Sequence, residues 1–581
     1  MDGSQRVSHL RATCLAMQKI WLQSYPSGVP AEIDLGKLRS LVQLLREACT
    51  HFAHRPAFEQ FGRSISFTEL DELSLAFAAW LQAAGFVKGD RLAIMLPNSL
   101  QYPVALFGAL RAGLTVVNVN PLYTARELRH QLKDSGATVI VVLENFAHVV
   151  EQVAEHTDLK KVLVTAVGDL LGLPKGWIAN YVVRHRRKQV PRWRIPGAVR
   201  FRHALRKGRR LQLSPVEVGS EDIAFLQYTG GTTGVSKGAM LTHGNVSANV
   251  LQGKTWLAEK ISSQAEVLIT AIPLYHIFAL TSNCLCFVHL GWKNVLIMNA
   301  RDFPALVAEM KKHPFAYFSG VNTLFNALLH TPGFRDIDFS HLKVTIGGGM
   351  AVQASVAKQW KAVTGSLLTQ GWGLSETSPT ATINPTAEDF NGSIGLPIPS
   401  TDIAIKDDQG VDVPLGQTGE ICVRGPQVMR GYWNRPEETA KAILPGGWLR
   451  TGDVGYMDPR GYIYLQDRKK DLILVSGFNV YPNEVEEIAS SHPGVLEAAA
   501  VAQSDERSGE VVALYVVAKH PGLTEREIIE HCRKSLAAYK VPRYVYFRRE
   551  LPKSNVGEIL RRELKTASTV GPNIPSGGAV W

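Results

Sequence analysis

The chain alternates short runs of β-branched and aliphatic residues with longer segments of helical periodicity, and this alternation restricts the fold more than any other feature. Buried strands that alternate with amphipathic helices are typical of a parallel sheet covered by helices. We therefore predict an α/β protein, with helices over 69–84 after a cap at Thr68 and over 98–112 after Pro97. The predicted strands include 91–96, 137–143, 161–164, 295–298 and 343–346.

The length of the chain and a change in its sequence pattern predict two domains. A single core stops growing at about 250–300 residues, and the chain has 581. We predict a large domain over 1–470 of layered α/β subdomains, ending in a β-rich subdomain over about 400–470, where short strands alternate with Gly, Pro and Asp turns. A small α+β domain over 471–581 follows, with a helix from Thr524 and a loose tail from about 567.

The net charge of +11 comes from one segment. No Asp or Glu lies between Asp169 and Glu217, whereas this segment contains 13 Lys and Arg residues. Over 175–210 aromatic residues alternate with cations, a pattern that suits an anionic membrane surface. A solvated insertion loop is the alternative interpretation. Nucleic acid is excluded as a partner because no recognition fold accompanies the basic residues.

Cysteine usage and hydropathy predict a cytoplasmic protein. The six cysteines form no CxxC pair, which indicates a reducing compartment and no zinc site. Arg6, Arg11 and Lys19 interrupt the first apolar residues, so we predict no secretory signal. Residues 267–292 lack charged side chains, but Pro273 and other polar residues interrupt them, which favours a buried strand, loop and helix over a membrane span. Lipid contact by the basic segment would place the protein on the inner face of the cytoplasmic membrane.

The segment YTGGTTGVSKG at 228–238 is the strongest functional signal. Small residues let backbone N–H groups approach phosphate oxygens, hydroxyls add donors, and Lys237 adds positive charge. Val235 and Ser236 separate the last loop glycine from the lysine, so this is not a Walker A loop. We predict a phosphate-binding loop formed by Thr229, Gly230, Gly231, Thr232, Thr233, Gly234 and Lys237.

This loop resembles the signature of the adenylate-forming superfamily, which contains acyl-CoA synthetases, nonribosomal-peptide adenylation domains and beetle luciferases. Further matches follow in the expected order, namely PLYHIF at 273–278, GGGM at 347–350, GWGLSET at 371–377, TGD at 451–453 and DRKKDLILVSGFNVYPNEVE at 467–486. The segments PLYHIFALT and GPQVMRGYW most resemble those of bacterial long-chain fatty-acid–CoA ligases. The resemblance implies a long-chain fatty acid as substrate, with ATP, Mg²⁺ and CoA.

The resemblance assigns the nucleotide site to residues in several turns. It implies that Glu376 holds Mg²⁺ against the phosphates and that Thr377 donates to the α-phosphate. It also implies that Asp453 accepts the two ribose hydroxyls, with Arg468 beside them. A flat indole and glycines that permit close backbone approach would form the adenine slot. These residues are Gly347, Gly348, Gly349, Gly371, Trp372 and Gly373.

The acid and thiol sites follow from the same resemblance. His276 would orient the acyl carboxylate, with the Phe278 ring at the entrance of the acyl tunnel. The small domain would be mobile, rotating about a hinge at Lys470 between the two half-reactions. Gly477 and Phe478 would then line the tunnel for the pantetheine arm of CoA.

One catalytic position departs from the family pattern. The pattern GKILRR reads GEILRR here, at 557–562, so Glu558 stands where the family lysine bridges carboxylate and phosphate oxygens. Such a charge contact is worth up to about 4 kcal/mol at roughly 4 Å and a dielectric near 20, and Glu558 turns attraction into repulsion. Lys553 does not compensate, because the family has a lysine there as well. We predict Lys237, His276, Glu376, Thr377 and position 558 as the catalytic set.

Three function classes remain after this departure. We predict a long-chain fatty-acid–CoA ligase that forms an acyl-adenylate and then the thioester. The alternatives are an adenylation-impaired homologue that binds acyl-adenylate or acyl-CoA, and a ligase for shorter or aromatic acids. The oligomeric state stays open between a monomer and a homodimer.

Overall fold

The computed structural model describes residues 19–229, 236–476, 478–505, 508–554 and 557–569. Two large sheets covered by helices account for most of the chain before residue 400. The first is parallel except for its last hairpin. Its strands, in spatial order, are Val199–Arg200, Lys161–Thr165, Val139–Leu143, Arg91–Met95, Thr115–Asn118, Ile223–Thr229 and Lys237–Thr242.

The second large sheet has a parallel centre with antiparallel pairs at both edges. Its buried faces carry large aromatic residues, among them Phe318 and Trp360, whose rings stack 6.0 Å apart. In spatial order its strands are Leu396–Pro397, Thr380–Ile383, Leu368–Gly373, Val344–Gly347, Phe315–Gly320, Val267–Thr270, Lys293–Leu296, Pro56–Gln60 and Arg63–Ser66.

Two smaller sheets follow. The antiparallel sheet of the predicted β-rich region contains Asp402–Lys406, Gly419–Arg424, Trp448–Met457, Ile443–Leu444 and Ile463–Arg468. The C-terminal sheet contains Phe478–Val480, Ile473–Val475, Gly509–Ala518, Val495–Asp505 and Tyr544–Phe547, and only the last of these pairs in parallel.

The helices mostly connect and cover the parallel strands. Those of seven or more residues are Leu41–His51, Phe67–Ala83, Gln101–Arg111, Ala125–Ser135, Ala147–Ala154, Lys175–Tyr181, Phe201–Gly208, His243–Trp256, Phe303–Met310, Asn322–Leu329, Ala354–Thr364, Pro436–Ala442, Pro482–Ser490, Glu525–Arg533 and Arg561–Thr569. The α/β class predicted from the sequence is confirmed, and the strands predicted at 91–96, 137–143 and 161–164 are present.

Two predicted helix starts were wrong. The second helix is capped by Ser66, whose hydroxyl accepts from the Glu69 N–H, and so it begins before Thr68. The third helix begins at Gln101 rather than at Asn98, because the Asn98 side chain is occupied by backbone groups of the 270–274 segment. A local cap thus sets the start of the second helix, whereas tertiary contacts occupy the residue that was predicted to begin the third.

The uncharged segment 267–292 is interrupted as predicted. It contains the strand Val267–Thr270, a loop, and the helical turns Ile277–Ala279, Leu280–Leu285 and Cys286–Leu290. In the described parts of the chain, no helix combines the length and the apolar character that crossing a membrane requires.

The topology places the predicted motifs together. The strands Ile223–Thr229, Val344–Gly347 and Leu368–Gly373 each end in one of the Gly-containing motifs, and the PLYHIF motif follows the strand Val267–Thr270. Ligands of open α/β sheets bind at the carboxyl ends of the strands, where connecting loops meet.

Candidate active site

A cavity of about 1980 Å³ lies between the strand ends of the two large sheets, the antiparallel 402–468 sheet and the C-terminal domain. Its wall brings together sequence motifs separated by more than 300 residues. The predicted site residues in this wall are Thr229, Lys237, His276, Phe278, Gly348, Gly349, Gly371, Trp372, Gly373, Glu376, Asp453, Arg468, Lys470 and Glu558.

Several predicted residues lie elsewhere. Gly347 ends a buried strand behind the wall, and Thr377 has 0% of its surface exposed, with its hydroxyl donating to backbone carbonyls of its own turn. Phe478 is 61% exposed on the C-terminal sheet, where its ring lies 5.2 Å from that of Tyr539. Residues 230–234 and Gly477 lie outside the described residues.

The two side chains predicted for the phosphate site, Lys237 and Glu376, have partners that the sequence does not reveal. The Lys237 ammonium donates to the Glu438 carboxylate at 2.5 Å and lies 5.2 Å from the centre of the Tyr432 ring. The Tyr432 hydroxyl in turn donates to Glu376 at 2.7 Å. Tyr432 therefore stands between the predicted phosphate-binding lysine and the predicted metal ligand. Its only sequence signal is its place in the GPQVMRGYW segment.

Asp453 is held by two side chains. The Trp372 indole N–H donates to one carboxylate oxygen at 2.8 Å, and the Arg468 Nε lies 3.5 Å from the other. Burial raises the pKa of the Asp453 carboxyl, while Arg468 and the indole hydrogen bond favour its charged form. The indole predicted to face adenine thus also fixes the carboxylate predicted to face ribose.

Glu558 is inside the cavity. Its Oε1 atom lies 3.5 Å from the position that a Cβ on Gly349 would occupy. Burial lowers the pKa of the His276 imidazole, and the charge of Glu558 acts in the opposite direction. The Glu558 charge also acts on Arg468. The departure found in the sequence therefore faces the predicted carboxylate-orienting and ribose-side residues.

Backbone contacts fix the position of Glu558. Its N–H donates to the Ser554 hydroxyl at 3.1 Å, and its carbonyl accepts from the Ser554 N–H at 2.7 Å. The neighbouring Gly557 carbonyl accepts from the Thr323 hydroxyl of the large domain at 2.9 Å. Lys553 donates to Glu497 at 2.6 Å, so the nearby lysine is engaged in an ion pair.

A buried charge cluster anchors the same C-terminal segment. Arg561 donates to both Glu486 oxygens at 2.9 and 2.7 Å and to Asn483 at 2.6 Å. Asp467 and Asp471 lie 3.7 and 3.6 Å from its guanidinium group. Burial raises the pKa of Asp467 to about 6. No sequence pattern predicts this role of Arg561, because its partners come from distant positions.

Part of the cavity wall is apolar. Its apolar wall residues pack into one cluster of the core, against which Phe278 also lies. They are Leu257, Cys286, Tyr317, Ile346, Ile383 and Ile394. A site that combines charged groups with an apolar wall suits a carboxylic acid with an apolar tail.

Some cations of the basic segment are paired with an acidic side chain. Arg184 forms two 2.8 Å hydrogen bonds to the buried Glu144, which Arg200 also contacts at 3.2 Å, so Arg184 stabilises the fold. In contrast, Leu173 and Trp177 are 88% and 69% exposed. The segment thus presents apolar side chains beside exposed cations.

Comparisons with known proteins identify the family of the chain. The AMP-binding enzyme family matches residues 45–433, and the AMP-binding enzyme C-terminal domain matches 484–558. A long-chain-fatty-acid–CoA ligase of Salmonella typhimurium is 54% identical over 94% of this chain and 98% of its own length. A long-chain-fatty-acid–CoA ligase of Bacillus subtilis is 37% identical over 96% of this chain and 99% of its own length.

Solved structures share the fold. An anthranilate–CoA ligase in complex with anthranoyl-AMP superposes with a TM-score of 0.82 at 24% identity, over 93% of this chain and 99% of its own. ATP-bound MatB from Rhodopseudomonas palustris superposes with a TM-score of 0.78 at 27% identity, over 90% of this chain and 98% of its own. The predicted resemblance is confirmed, and the chain belongs to the AMP-binding enzyme family.

Proposed function

We infer that the chain is a long-chain fatty-acid–CoA ligase. The carboxylate attacks the α-phosphate of ATP and releases pyrophosphate, and the thiol of CoA then displaces AMP from the acyl-adenylate. The observation that carries this function is the 54% identity to a ligase of that name over 94% of the chain. The charged groups and the apolar wall of the cavity support it.

The nucleotide would lie along the charged wall. We propose that Lys237 contacts the phosphates, that Asp453 accepts from the ribose hydroxyls beside Arg468, and that Trp372 and the Gly348–Gly349 backbone flank adenine. Lys237 would have to exchange Glu438 for phosphate, because an ammonium group at 2.5 Å from a carboxylate is already neutralised. The loop over 230–234 would complete the phosphate site.

Glu376 is the proposed magnesium ligand. Its carboxylate belongs to the cavity wall and is oriented by the Tyr432 hydroxyl, and a carboxylate oxygen is a ligand that Mg²⁺ prefers. When bound, Mg²⁺ would neutralise phosphate charge. Tyr432 would hold the carboxylate in place between turnovers.

We propose that the second half-reaction uses another placement of the small domain. Lys470 would be the hinge, since it follows the last strand of the 402–468 sheet and lies three residues before the C-terminal sheet begins at Ile473. Gly477 and Phe478 would then approach the cavity with the thiol. The exposure of Phe478 here supports this role, because an exposed aromatic ring is available for a new contact.

The basic segment is our proposed contact with an anionic membrane surface. Leu173, Trp177, Ile178 and Tyr181 are each at least half exposed, and Lys175 donates to the backbone carbonyl of Phe61, which brings a further exposed ring next to them. Apolar and aromatic side chains that enter the interface, flanked by cations, are typical of peripheral binding.

The vesicle test uses the apolar residues because Arg184 is structural. We expect the Leu173→Ser/Trp177→Ser variant to bind anionic vesicles at least tenfold more weakly than the wild type, since burying each side chain contributes about 1.5–3 kcal/mol. Val87→Ser/Val411→Ser is the matched control, because both positions are exposed and both are distant in sequence from the basic segment. Equal binding by all three proteins would identify the segment as a solvated loop.

The activity test separates the function classes. Pyrophosphate release and acyl-CoA formation are measured with acids from 6 to about 18 carbons and with an aromatic acid, and then from synthetic acyl-AMP. Long-chain preference in both products supports the proposed function. Turnover confined to short or aromatic acids, or binding of acyl-AMP without turnover, would overturn it.

A further inference from the structure

A glycine interrupts one helical wall of the cavity. The helix His243–Trp256 and the residue after it contribute Asn249, Gly253 and Leu257 to that wall, and residues four apart lie on one helix face. An ideal Cβ on Gly253 would have no heavy atom within 4 Å. Glycine in a helix interior is unfavourable relative to alanine, so the helix itself does not require it.

The facing wall is the helical segment after the PLYHIF motif. The π-helical turn Leu280–Leu285 contributes Thr281 and Ser282, and the next helix contributes Cys286. The two helices are held together where Lys254 contacts His289 at 3.2 Å. Gly253 therefore widens the space between two packed helices at a point where both contribute to the cavity wall.

The surroundings indicate what this space accepts. Beyond Gly253 on the same helix face lies Leu257, which belongs with Cys286 and Tyr317 to the buried apolar cluster of the cavity wall. At the other end, Asn249 hydrogen-bonds to Thr380, close to Glu376 in the chain. This helix face thus runs from the strand that follows Glu376 in the chain to the apolar cluster of the cavity wall.

We propose that Gly253 sets the upper limit of acyl-chain length, because its missing side chain leaves the passage through which the chain reaches the apolar cluster of the cavity wall. The proposal rests on the proposed acyl-CoA ligase function and names a residue that determines its specificity. A side chain at position 253 would fill the passage and exclude the distal methylenes, while the carboxyl end would bind as before.

The test compares chain-length profiles of the full-length Gly253→Leu variant and the wild type. Each buried methylene contributes about fourfold to binding, so excluding four of them should lower kcat/KM for hexadecanoate about 250-fold. Turnover of hexanoate should change less than threefold, which also shows that the variant is folded. Thr255→Leu, on another side of the same helix and outside the cavity wall, is the matched control and should keep the wild-type profile.

Two results would overturn the proposal. One is a folded Gly253→Leu variant with an unchanged profile from 6 to about 18 carbons, and the other is a Thr255→Leu variant with the same shift. If the leucine variant does not fold, Gly253→Ala decides, since alanine favours helix, and we expect a several-fold loss for hexadecanoate over hexanoate. A wild type inactive on every fatty acid would instead contradict the proposed function.

Discussion

Replacing Glu558 by lysine tests the most unusual feature of the site. The carboxylate lies in the cavity wall beside Gly349, and its charge acts on His276 and Arg468. Because the backbone of residue 558 is fixed by Ser554, a lysine would project into the same space. The change replaces a negative charge by a positive one next to the proposed reacting groups.

The magnitude follows from Coulomb's law. A unit charge about 4 Å from a phosphate or carboxylate oxygen contributes about 4 kcal/mol at a dielectric near 20, and reversing its sign gives a difference of about 8 kcal/mol. Arg468 already offsets part of the glutamate charge, and solvent screens more. If a quarter of the 8 kcal/mol difference remains after screening, the barrier to adenylation falls by about 2 kcal/mol, and adenylation accelerates about 30-fold.

The two half-reactions are measured separately. Glu558→Lys should raise the single-turnover rate of pyrophosphate release, while conversion of supplied acyl-AMP and CoA to acyl-CoA should change less than threefold. Glu558→Gln removes the negative charge without adding a positive one and should give an intermediate first-step rate. Equal first-step rates for all three proteins would refute the reasoning and locate the required positive charge elsewhere.

Two further variants test the nucleotide site. Lys237→Ala and Glu376→Ala should each lower the rate of pyrophosphate release at least tenfold at unchanged thermal stability, because both side chains act on phosphates and Mg²⁺; unchanged turnover would remove that residue from the site. Asp453→Asn should raise KM for ATP about tenfold with a smaller effect on kcat, because it weakens acceptance from the ribose diol and the contact with Arg468; an unchanged KM would contradict the proposed ribose contact.

Local sequence determined the elements and the chemical identity of the site. The strands Arg91–Met95, Val139–Leu143 and Lys161–Thr165 could be predicted because each is a short run of mainly aliphatic residues, as expected of parallel strands that are buried on both faces. The glycine-rich loop, the carboxylate of Glu376 and the reversed charge at position 558 are properties of residue types at fixed spacing. They are visible before any folding is considered, and they led to the family.

The tertiary structure decided which groups face each other. Lys237 pairs with Glu438, 201 residues away, and Asp453 is held by the Trp372 indole, 81 residues away. No periodicity encodes such pairs, because the distance between two side chains depends on how whole sheets and helices pack. The same holds for Gly253, which was an ordinary helix glycine in the sequence. The open space beside its α-carbon becomes visible only when the neighbouring helices are in place.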